Sequence, residues 1–134
     1  MSNRINDAAI PVTVAVIFHS GYGHTARQAE AVRRGIERVA NASALYLTSD
    51  EAQARLSDLE LADAMIFGAP TYMGSVSGPF KTFMDSTSKL YSTGAWKDKI
   101  AAGHYAMIID FLDGNRRGLQ AMLMDMSNRC AIDQ

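Results

Sequence analysis

The chain has 134 residues, 48% hydrophobic and 20% charged, with 13 Lys and Arg against 14 Asp and Glu for a net charge of −1. Those values describe one globular domain over residues 1–134 with enough apolar surface for its own core, and the scattered basic residues give no reason to expect a nucleic-acid surface. No apolar stretch reaches the ~18 residues of a membrane span or forms a signal peptide, and the single cysteine, Cys130, suits a reducing, cytoplasmic setting without membrane insertion.

Val12 to Phe18 (VTVAVIF) is almost wholly apolar and β-branched, as expected of a strand buried on both faces in a parallel sheet. From His24 to about Asn41 the period changes. Ala29, Val32, Ile36 and Val39 recur at steps of three and four, and charged residues fill the opposite face, with Glu30–Arg34 and Arg33–Glu37 spaced as ion pairs. This predicts a helix lying on the sheet. Ala44 to Leu47 reads as a weak second strand, Asp50 to Leu59 as a short helix or loop, and Ala64 to Gly68 as a third strand followed by the loop APTYMGSVSG.

Pro79 suits the first turn of the next helix, with Ser77 or Gly78 as its cap and Phe80, Phe83, Met84, Thr87 and Leu90 as its buried stripe. Tyr91 to Lys99 is a polar connection. Ile100 to Ile109 reads as a fourth strand with a kink at Gly103, Asp113-Gly114-Asn115 as a turn, and Leu119, Met122, Leu123 and Met126 as the face of a last helix. Alternating strands and helices imply βαβ units and a parallel sheet, whose ligands bind beyond the carboxyl ends of the strands. Both unusual loops fall at that edge.

The first of them, His19 to Thr25 (HSGYGHT), contains no cation, yet a strand-to-helix loop offers unpaired N–H groups and the positive end of the helix dipole. Gly21 and Gly23 allow the backbone to curl, and the hydroxyls of Ser20 and Thr25 can donate to an anion. A Walker A loop is excluded because its lysine is missing. The stretch from Gly21 to Ala26 does fit a G-x-G-x-x-A dinucleotide fingerprint, but Asp50 and Glu51, the candidates for the ribose-binding acid, come late. Tyr46-Leu47 stands where that acid belongs. A mononucleotide, FMN, suits the loop better. His19 and His24 read as solvated loop residues, and His104 lacks partners at ligand spacing, so no metal is expected.

With the second loop added, a resemblance emerges. The strand, SGYGHT and the helix, then AMIFGAPTYMGSVSGPFKTFMDST, resemble the flavodoxin-like FMN proteins, and more closely the NAD(P)H:quinone oxidoreductases of the WrbA type, over about Val12 to Gly103. The resemblance implies a flavodoxin-like, doubly wound parallel α/β sheet. It implies a phosphate site at Ser20, Gly21, Tyr22, Gly23, His24 and Thr25, and a flavin ring against Pro70, Thr71, Tyr72, Met73 and Gly74. The chemistry is then flavin-borne, with Tyr72, Trp96 and His104 as the side chains nearest to a supporting catalytic part.

After Gly103 the pattern departs: residues 104–134 contain no convincing fifth strand, and His104 and Tyr105 are the nearest candidates for a third flavin contact. An uncovered fourth strand favours homo-oligomers. The expected function is transfer of reducing equivalents from NAD(P)H through FMN to a small-molecule quinone or similar acceptor. A flavodoxin-type electron carrier and a flavin-free interaction or structural subunit remain open at this point.

Overall fold

The structure, a computed structural model, describes residues 10–106. Strand β1 (Val12–Phe18) pairs in parallel with β2 (Ala42–Thr48) on one side and with β3 (Ala64–Tyr72) on the other. Strand β5 (Ile100–Ala106) then pairs in parallel with β3, giving a parallel order β2-β1-β3-β5. A two-residue strand, β4 (Ser75–Val76), lies antiparallel on the end of β3. Because the chain leaves β1 for β2 and returns across it to β3, the winding reverses between β1 and β3. At such a reversal the loops diverge and open a crevice at the carboxyl ends of the two strands.

The apolar run of β1 is explained by two covered faces. Val16 and Phe18 meet Ala29 on helix α1 (His24–Glu37), backed by Ala26, Val32, Ile36 and Tyr46. Ala15 and Ile17 face the larger cluster with Leu47, Met65, Phe67, Phe80, Phe83 and Met84. The short helices α2 (Ser49–Ala54) and α3 (Leu56–Leu59), then α4 (Gly78–Ser86) and α5 (Ser88–Thr93), follow in the chain. Ala52, Leu59 and the α4 stripe Phe80, Phe83 and Met84 are buried in that same cluster; Leu90 packs against it while partly exposed.

Several elements differ from their sequence readings. Helix α1 stops at Glu37, and Val39 is 60% exposed, because the chain reverses through Asn41 at φ 66 and β2 begins at Ala42. Glu30 reaches Arg34 at 3.8 Å as expected, but Arg33 approaches Glu30 at 4.0 Å and lies over the Tyr46 ring at 4.9 Å rather than joining Glu37. Strand β5 runs unbroken through Gly103, which sits in register with Phe67. Trp96 is fully buried in the main cluster, so its indole belongs to the core. The expected end of the fourth strand at Ile109, the turn at Asp113 and the last helix lie outside the described residues.

Candidate functional site

The loop after β1 is shaped by its own backbone. Gly23 adopts the left-handed conformation (φ 95) and caps α1, its carbonyl accepting from the Arg27 N–H at 3.1 Å. Ser20 Oγ accepts the Gly23 N–H at 3.0 Å, which draws the loop into a tight curl. No side chain caps the helix, and no acidic residue sits in its first turn. The leading N–H groups of a 14-residue helix are therefore left for a guest, with the positive end of the dipole unneutralised.

The end of β3 forms the facing wall. Pro70, Thr71 and Tyr72, expected in a loop, continue the strand, because Thr71 pairs with Val76 and Tyr72 with Ser75. The reversal between them uses Met73 (φ 50) and Gly74 (φ 80), the two positive angles of a tight hairpin. Met73 is a poor residue for that conformation, and its side chain stands fully in solvent at the tip. Non-glycine residues held in this way concentrate at functional loops.

Between the walls lies an open cleft of about 170 Å³ lined by Ser20, Gly21, Tyr22, His24, Thr25, Pro70 and Tyr72. Its lining includes no carboxylate. Open amides, hydroxyls and a helix N-terminus without a neighbouring acid are the donor set of a phosphate, and the residues present fit one.

Two residues read as ordinary in the sequence tie the site together. His19 Nδ1 and Ser77 Oγ share a hydrogen bond at 2.7 Å, and the His19 N–H donates to the Gly68 carbonyl at 3.0 Å. Ser77 has the backbone position of the α4 cap but is fully buried and spends its hydroxyl on His19. The pair thus fastens the first loop to the second. Burial lowers the His19 pKa below its ordinary value, against a smaller raising effect from Asp50. The signal for this pair was positional: a polar residue directly after a buried strand, and another directly before Gly78-Pro79.

Of the three side chains considered for catalytic support, only Tyr72 reaches the cleft. His104 stands in register with Gly68, its ring resting where a Gly68 side chain would be, with Nδ1 3.1 Å from Gln28 Oε1 of α1. Its Nε2 is buried without a partner, and burial lowers its pKa. It fills space between the sheet and α1. Trp96 is in the core, its Nε1 likewise buried and unpartnered. Glu51, weighed as a ribose ligand, closes a capping box with Thr48 at the start of α2. Among the described residues no cluster of His, Cys, Asp and Glu is able to hold a metal ion.

A family model described as NADPH-dependent FMN reductase matches residues 5–128. A protein named flavodoxin FldP, from Pseudomonas aeruginosa strain UCBPP-PA14, is 42% identical over 90 residues, covering 66% of this chain and 47% of that protein. An NAD(P)H dehydrogenase (quinone) from Syntrophobacter fumaroxidans is 34% identical over 104 residues, covering 61% and 51%. The chain thus spans about half the length of these curated relatives. The crystal structure of a flavodoxin, WrbA-like protein from Agrobacterium tumefaciens superposes with a TM-score of 0.75 at 34% identity, covering 90% of this chain and 74% of that one.

Proposed function

This chain belongs to the NADPH-dependent FMN reductase family and has a flavodoxin-like fold, and from that premise we propose that it is an FMN-dependent oxidoreductase carrying reducing equivalents from NAD(P)H to a quinone or similar flat acceptor. The observation that carries the reading is the open N-terminus of α1, curled by Gly23 and placed where the winding of the sheet reverses. When bound, FMN supplies reversible two-electron chemistry. The chain's own part is to hold and orient it.

The amides at the start of α1, with the Ser20 and Thr25 hydroxyls, hold the phosphate, while Gly21, Tyr22, Gly23 and His24 form its surround. Pro70, Thr71, Tyr72, Met73 and Gly74 supply the platform for the ring, Thr71 and nearby amides bonding its polar edge. The His19–Ser77 bond fixes the spacing of these two parts. Neither Trp96 nor His104 takes part in the chemistry; they support the sheet beneath it.

Support for a quinone acceptor comes from the name of the Syntrophobacter relative, and support for NAD(P)H from that name and the family. A cytoplasmic setting rests on the lone cysteine, since among the described residues no helix is long and apolar enough to cross a membrane. Homo-oligomers are favoured because β5 has only β3 beside it among the described strands; sedimentation at the monomer mass would oppose this.

Steady-state assay of FMN-loaded protein tests the function. Oxidation of NADH or NADPH that depends on added benzoquinone is expected. Its absence, with single-electron exchange from a reductase, would instead identify an electron carrier, the role suggested by the name of the flavodoxin relative.

A further inference from the structure

Gly21 is a glycine for a reason its backbone does not supply. The positive-φ glycines are Gly23, Gly74 and Gly94, so Gly21 occupies a conformation open to any residue. Its constraint comes from the opposite wall: a Cβ built on Gly21 would lie 2.5 Å from the Tyr72 hydroxyl oxygen. That hydroxyl crosses from the end of β3 to the first loop, and both residues line the anion cleft. It has no hydrogen-bond partner among the described residues, and Tyr72 is only partly buried. A donor held over the amides of a phosphate cradle, with nothing of the protein to bond, is placed for the guest.

We propose that the Tyr72 hydroxyl donates to the phosphate of the bound mononucleotide from the wall opposite α1, and that Gly21 is small in order to admit it. This rests on the reading of the first loop as a phosphate site. It changes the part given to Tyr72, which acts on the phosphate through its oxygen as well as on the ring through its face. It also makes the two loops one specificity device. The residue that reaches the phosphate grows from the platform for the ring, so phosphate recognition and ring placement are set by a single side chain.

The test compares FMN with riboflavin, which lacks the phosphate, by fluorescence titration of the apoprotein. Wild type should bind FMN far more tightly than riboflavin. Tyr72→Phe, which keeps the ring, should weaken FMN about tenfold, the scale of one hydrogen bond to a charged group, while riboflavin affinity changes by less than about twofold. Gly21→Ala should also weaken FMN, and much less so when added to Tyr72→Phe, whose ring lacks the obstructing oxygen. An unchanged FMN-to-riboflavin ratio in Tyr72→Phe, or fully additive effects of the two changes, would overturn the proposal while leaving the cradle intact. Equal wild-type affinity for the two flavins would overturn the cradle itself, and this inference with it.

Discussion

Gly23 concentrates the physics of the site in one residue. Its φ of 95 is a conformation that L side chains rarely adopt, while nothing lies within 4 Å of the position a Cβ would take. A side chain there would meet open space, so the cost of substitution is backbone strain of about 1–2 kcal/mol rather than collision. Gly23→Val is expected to weaken FMN binding about five- to thirtyfold by that measure, and His24→Ala, an exposed side chain, less than about threefold. Equal losses in fluorescence titration would show that side chains, not the curl, hold the anion. The glycine and its consequence were legible in the string HSGYGHT; the absence of any clash was not, since it depends on what the fold leaves empty.

The two partly buried histidines set a pH dependence at the same scale. Burial is the leading cause of the lowered pKa of both His19 and His104, so the folded state prefers the neutral ring. The unfolded chain takes up protons at the ordinary value of 6.5, ahead of the folded one. Stability is therefore fully present above 6.5 and falls as pH drops from there toward the lower folded-state values. Urea midpoints should fall between about pH 7.5 and 5.5, and His104→Gln should reduce that fall. A variant as acid-sensitive as wild type would contradict the assignment to His104. Neither burial was apparent from sequence, where His19 looked like a solvated loop residue.

At the scale of elements, β1, β3 and α4 were readable because their apolar residues follow strand and helix periods. The hairpin at the end of β3 was hidden, since Pro70 and Gly74 signal a turn and the β-ladder between them forms only once Ser75 and Val76 fold back. Trp96 was similarly ambiguous: an aromatic in a polar connection gives no periodicity, and only packing shows that it closes the core. The contact of β3 with β5 carries its own test. Gly68 leaves room for the His104 ring, so Gly68→Ala should destabilise the fold by about 1–3 kcal/mol through overpacking. Combined with His104→Ala, most of that cost should vanish in urea unfolding. Additive losses would mean that the ring does not depend on the glycine.

For the whole molecule, charge and topology point the same way. A net charge of −1 gives no broad anionic field to steer the chain toward redox proteins, which accords with the small acceptor of the proposed function. The reversal of winding between β1 and β3 then explains why both specialised loops, more than 40 residues apart in sequence, face each other. That meeting was foreseeable from the alternation of strands and helices. The bonds that fasten it, His19 to Ser77, and the approach of Tyr72 to Gly21 were not, because side-chain reach across a crevice leaves no period in the sequence.

The most direct measurement is the ³¹P resonance of FMN on the loaded protein followed with pH. A free phosphomonoester titrates near pH ~6. A phosphate gripped by the amides of α1 should stay dianionic, and its resonance should hold still from about pH 5 to 8. A bound resonance that titrates as the free one does would mean that the helix terminus does not hold the phosphate.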